Sequence, residues 1–182
     1  GSAFETPLGI AEIDTEITAS LQQNNIFKFP QHYQIEDHVL EVEIPFLQYI
    51  LEPGFKIVPI TIGTKSSYAL TKIADALKPY FNEDNLFVIS TDLSHYPSYS
   101  DAVKADSAVV QSILSGNPQT FDAVARSNEN SGIKNYVTAI CGYSAVYVLM
   151  SIAGSNQGFA YEKLKYSNSG DISGDFDRVV GY

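Results

Sequence analysis

Cysteine occurs once in this chain, as Cys141, and tryptophan not at all. A single thiol excludes an internal disulfide framework and leaves no Cys-x-x-Cys pair for a closed structural zinc site. It fits a reducing, cytoplasmic setting. Long apolar runs are missing too. No segment reaches the ~20 residues that span a bilayer, and no charged-then-apolar leader stands at the front. Positive charge is sparse: Lys and Arg number 11 against 21 Asp and Glu, a formal net charge of −10. Phosphate backbones and anionic membranes need clustered cations, and no basic stripe occurs here. Neither a nucleic-acid nor a membrane partner is therefore expected.

What remains is the composition of a globular protein, 45% hydrophobic and 12% aromatic, without repeats, linkers or low-complexity tracts. At 182 residues the expectation is one domain spanning residues 1–182. Gly1-Ser2 resembles the remnant of an expression tag, so the chain reads as an N-terminally truncated piece.

Strand-like and helix-like patterns alternate, which predicts an α/β fold, a layered sheet with flanking helices. A turn falls at Thr6-Pro7-Leu8-Gly9, and a short helix is predicted over 14–23 with Asp14 as its N-cap. Residues 36–51 carry apolar groups at helical spacing, interrupted by Pro45. Ile57 to Ile62 is rich in β-branched residues and predicts a strand, followed by a helix over 66–81. Leu86 to Ile89 predicts a buried strand. Helices are expected over 101–114 and 118–126, the second opening on Pro118, and a buried helix over 140–152. Phe159–Tyr166 and Arg178–Tyr182 read as closing strands around the turn-rich Ser167-Asn168-Ser169-Gly170-Asp171.

The predicted strand at Leu86–Ile89 ends in Ser90-Thr91-Asp92-Leu93-Ser94-His95. Polar side chains at the carboxyl end of a buried strand are where open α/β sheets place ligand sites. Asp92 and His95 supply a carboxylate and an imidazole suited to acid–base work or metal binding. The alternative is a plain loop, in which Asp92 caps the next turn and His95 is exposed. Cys141-Gly142 reads as the start of a helix, where the macrodipole favours a thiolate as nucleophile or metal ligand; a lone cysteine otherwise simply packs. A Cys141–His95–Asp92 nucleophilic triad is a further arrangement, one that requires Asp92 to orient the ring within a single turn. His38 and Glu41, three apart, are either a metal-ligating or orienting pair or an ordinary surface pair. His32 has no suitably spaced partner and reads as surface.

Several segments together resemble one family. Asp37-His38-Val39-Leu40-Glu41-Val42-Glu43-Ile44-Pro45-Phe46-Leu47 is similar to the Glu-His-Ser-Leu-Glu-Val-Gln-Leu-Pro-Phe-Leu signature of Memo-like proteins, which include the B component of AmmeMemoRadiSam systems. Ser90-Thr91-Asp92-Leu93-Ser94-His95-Tyr96 resembles the family's Ser-Ser-Asp-Leu-Ser-His-Tyr. Ile140-Cys141-Gly142, Tyr166 to Asp171, and Phe4-Glu5-Thr6-Pro7-Leu8-Gly9 resemble three further family motifs in the same order. The resemblance implies a fold akin to class III extradiol dioxygenases (LigB-like) with a cleft that holds a transition metal, iron, copper or zinc. Carried over by motif, Asp92, His95 and Cys141 are the cleft's catalytic residues, with His95 and Cys141 as metal ligands.

Two family motifs that each supply a cleft histidine, Pro-His-Ala-Gly and Gly-Pro-Ser-His, do not occur in this chain. Two ligands fall short of the three protein ligands of a typical catalytic site, so metal binding by this chain is expected to be weak or absent. Sheet edges left without neighbours would favour a homo-oligomer. The function expected is thus that of a metal-dependent protein of redox or oxygenase type, with a small molecule or peptide in the cleft. A non-catalytic peptide- or protein-binding module using the same cleft is the alternative, and a Cys141 hydrolase a third.

Overall fold

The computed structural model describes residues 3–28, 39–154 and 158–182. Contacts within the chain divide it into two compact units, Gly1–Gly63 and Thr64–Tyr182.

The first unit opens with a hairpin. β1 (Ala3–Thr6) pairs antiparallel with β2 (Gly9–Ile13), Thr6 facing Gly9 across the expected turn. The Thr6 hydroxyl shapes that turn, accepting from Leu8 N at 3.1 Å. Gly9 sits at φ +121°, a conformation open to glycine and poor for other residues. Helix α1 (Thr15–Gln22) follows, and Asp14 caps it by accepting from the Glu16 and Ile17 amides at 3.1 and 2.9 Å. Helix α2 (Ile44–Ile50) corrects the sequence reading. Pro45 lies in its first turn rather than interrupting a longer helix, because a residue with fixed φ and no amide hydrogen costs nothing there. Strand β3 (Lys56–Ile57) adds parallel to β2, giving the sheet order β1-β2-β3. Of the strand predicted over 57–62, only Ile57 belongs to this ladder.

The second unit is mainly helical. Helix α3 (Ser67–Leu77) runs into a 3-10 turn at Lys78–Tyr80, and α4 (Tyr99–Leu114), α5 (Pro118–Glu129) and α6 (Tyr143–Ala153) follow. Helix α3 packs on α6, α4 on α5, and α5 on α6. Leu70, Ile73 and Leu77 from α3, Val109 from α4, Phe121 from α5, and Val148, Met150 and Ile152 from α6 form the buried core. The short helix α7 (Gly170–Ser173) lies inside the segment expected to turn.

The predicted strand at Leu86–Ile89 joins no ladder among the described residues. It keeps the alternation of an extended chain, Leu86 and Val88 exposed and Phe87 and Ile89 half-buried. It is held by ring packing instead, Phe87 standing edge-on to Phe81 at 5.3 Å. The closing strands shrink likewise: residues 159–166 form no ladder, and within 178–182 only Val180 and Gly181 make isolated bridges, to His95 and Asn168. The architecture is mixed α/β with a small sheet. A strand exists only through its neighbour, and alternation of side chains does not supply one.

Candidate functional site

Residues 93–97 are gripped from both sides. On one side, His95 N donates to Thr138 O at 3.2 Å and Val137 N to His95 O at 3.1 Å. On the other, Leu93 N donates to Gly181 O at 2.8 Å, Gly181 N to Ser94 O at 3.0 Å and Tyr96 N to Val179 O at 2.7 Å. Tyr96 takes φ +70°, one of two non-glycine residues with positive φ among the described residues. Backbone held in a sparsely populated region costs free energy, and here the bonds on both sides enforce it.

The lone thiol is brought to this turn by a reciprocal pair of bonds. Cys141 N donates to Asp92 O at 3.2 Å, and Asp92 N donates to Cys141 Sγ at 3.1 Å. Next to it, Gly142 N donates to Thr91 Oγ1 at 2.7 Å. That approach depends on glycine, since a Cβ at 142 would stand 2.5 Å from Thr91 Cβ and 2.6 Å from its hydroxyl. Cys141 precedes α6, whose N-cap is Gly142, and is exposed rather than packed away.

Asp92, His95 and Cys141 therefore converge, one ligand atom from each lying within 4.8 Å of the others. Asp92 Oδ2 is 3.5 Å from His95 Nε2 without a hydrogen bond; Nε2 is shielded from solvent and has no hydrogen-bond partner. The His95 side chain is 23% exposed and that of Asp92 45%, so the histidine is not the freely exposed one of the plain-loop alternative. His38 and His32 lie outside the described residues. Glu41, read as sharing a helix face with His38, sits instead in an exposed turn ahead of α2. Within the Ser167–Asp171 segment, Asp171 accepts from Ser167 Oγ, Asn168 N and Tyr99 OH at 2.8–2.9 Å. The Asn168 amide and these hydroxyls hold its carboxyl below the usual range, which makes it a turn-former.

Asp106, which the sequence reading passed over, is fully buried beneath the site turn. Its Oδ1 accepts from Ser94 N at 2.9 Å and its Oδ2 from Tyr166 OH at 2.7 Å. Burial pushes this carboxyl up, opposed by those two hydrogen bonds. Burial and the neighbouring Asp106 likewise raise the phenols of Tyr166 and Tyr136. A signal was present in the sequence: Asp106 falls on the stripe Ala102, Ala105, Val109 that α4 buries. Farther along, the His95 ring leans on Tyr96 at 5.6 Å, and the Arg178 guanidinium lies over Tyr96 at 4.8 Å. Arg178 also lines a hollow of about 450 Å³ with Ser98, Asp101, Lys134, Asn135 and Asp177. Its two cations are matched by two carboxylates.

The chemistry of the cluster is that of an imidazole nitrogen, a thiol sulfur and a carboxylate oxygen sharing one small space. These are donors that together suit iron, copper or zinc. No helix among the described residues is long and apolar enough to cross a membrane. A model of the Memo-like protein family matches residues 1–182. The chain is similar to a MEMO1 family protein of Thermoplasma volcanium, at 36% identity over 187 residues covering 99% of this chain and 64% of that protein. Similar proteins of the MEMO1 family occur in Nitrosopumilus maritimus, at 34% identity covering 98% of this chain and 63% of the relative, and in Methanosarcina mazei, at 31% covering 98% and 65%. The chain thus spans less than two thirds of the length of these relatives.

Proposed function

Because the chain belongs to the Memo-like protein family, we propose that Asp92, His95 and Cys141 are the share this chain supplies of a metal-binding cleft of redox or oxygenase type. The architecture is read as akin to that of the class III extradiol dioxygenases. The observation that carries the proposal is the convergence of the three ligand atoms within 4.8 Å. It adds Asp92 to the two ligands expected from the sequence, reaching the three protein ligands of a typical catalytic site. The orphaned His95 Nε2 supports it, since a buried nitrogen with no partner is costly unless something else occupies its lone pair.

A transition metal held there would supply Lewis-acid or one-electron chemistry to a small molecule or peptide in the cleft. The chain's own groups hold and tune the site. Cys141 presents a sulfur already oriented by the Asp92 amide. The Asp92 carboxylate, beside the imidazole and half open to solvent, serves as a third ligand or as an acceptor for a substrate proton.

Anaerobic calorimetric titration with Fe(II), and with Co(II) as a spectroscopic substitute, tests this reading. One site is expected, weakened by more than about tenfold in His95→Ala and in Cys141→Ser while far-ultraviolet circular dichroism stays unchanged. Absence of metal uptake by the unsubstituted chain overturns the metal reading and returns the cleft to the peptide-binding alternative.

A further inference from the structure

The carboxylate of Asp106 touches none of the three cluster atoms, yet it holds the peptide between two of the residues that bear them. Ser94 N, which donates to Asp106 Oδ1 at 2.9 Å, belongs to the turn joining Asp92 to His95. The other oxygen is anchored by Tyr166 OH at 2.7 Å. The Gly181 backbone closes over the pair so tightly that a Cβ there would land inside the carboxylate. Gly181 in turn bonds to both Leu93 and Ser94 through its carbonyl and amide. Three separate segments thus meet on one fully buried acid. A core aspartate is a poor choice for stability alone, because apolar groups of similar volume are often as good or better. Its geometry has a purpose beyond packing only if the turn it holds must be held in one place.

We infer that Asp106 is a positioning residue: by clamping the Ser94 amide it fixes the height of the His95 imidazole against Asp92 and Cys141. The inference rests on the cluster being the working site, and its test separates the two. Asp106→Ala removes the acceptor, Asp106→Asn keeps an oxygen for the Ser94 amide, and Val109→Ala, from the same buried face of α4, loses core packing without touching the turn.

Two readouts are needed. The first is metal-free: the rate of alkylation by iodoacetamide of Cys141, the chain's only cysteine, whose sulfur takes its hydrogen bond from the Asp92 amide in the same turn. Asp106→Ala should shift this rate by about threefold or more, as loss of one aligned hydrogen bond does. Asp106→Asn should stay near the unsubstituted rate, and so should Val109→Ala despite its lower melting temperature. The second is Co(II) affinity, expected to fall about tenfold or more in Asp106→Ala and to be largely restored in Asp106→Asn. A folded Asp106→Ala protein with unchanged alkylation and unchanged affinity overturns the inference, as does a Val109→Ala protein that shifts equally. If the unsubstituted chain takes up no Co(II), the metal reading fails and alkylation alone decides the role of Asp106. If Asp106→Ala does not fold, Tyr166→Phe, which frees one carboxylate oxygen, must shift alkylation by about twofold or more. An unchanged rate there is equally fatal.

Discussion

At the scale of single residues, the cluster depends on positions with no chemistry of their own. Gly142 has an ordinary φ of −81°, so its requirement is space, not backbone freedom. Adding a methyl group would push Thr91 away and strain the bond from Gly142 N to Thr91 Oγ1. Gly142→Ala is expected to destabilise the protein by about 1–3 kcal/mol, measured by urea unfolding. Asp92, His95 and Cys141 were legible as candidates because ionisable groups bunched at the end of an apolar run and before a helix are visible in one dimension. That Asp92 N reaches the sulfur, 49 positions away, was not. Nor was the positive φ of Tyr96, which follows from bonds to residues 179 and 97–179 pairing rather than from any preference of tyrosine.

At the scale of elements, helices and strands were unequally readable for a physical reason. A helix satisfies its backbone within itself, so the predicted spans over 14–23, 66–81, 101–114 and 118–126 correspond closely to α1, α3 with its 3-10 turn, α4 and α5. Their caps can be tested singly. Asn117 accepts from Gln119 N and Thr120 N at 2.9 and 3.0 Å at the head of α5; Asn117→Ala should cost about 1 kcal/mol in chemical denaturation. One turn on, Phe121 is wholly buried and stacked on Tyr143 at 5.3 Å, and Phe121→Ala should cost about 3–5 kcal/mol. The runs at 58–62 and 86–89 have the β-branched and aromatic content of strands, but their pairing depends on partners that no local pattern names.

At the scale of the whole molecule, ionisation couples to folding through tyrosine. Burial and the Asp122 carboxylate push the Tyr143 phenol up to about 12, and burial raises Tyr136 and Tyr166 as well. A folded value above the unfolded one means that the neutral phenol is favoured by the fold. Its contribution to stability is complete below about pH 10 and is lost as pH rises towards 12. Spectrophotometric titration should therefore show the phenols of Tyr136, Tyr143 and Tyr166 ionising together with the loss of circular dichroism. For Asp106 the same sign holds in acid: burial raises its carboxyl, so its ionisation works against the fold as pH rises from about 4. Charge balance was readable from composition, and the lack of a helix long and apolar enough to cross a membrane, among the described residues, from the shortness of the apolar runs. The division into two units was not, because it depends on which contacts close. With no tryptophan among 182 residues, the chain's native emission comes from tyrosine only. Tyr96, 39% exposed and with its ring 5.6 Å from that of His95, is thus a vacant optical window on the cluster. Tyr96→Trp would install one indole chromophore there, and excitation beyond the tyrosine absorption band would let its quenching alone read events at His95.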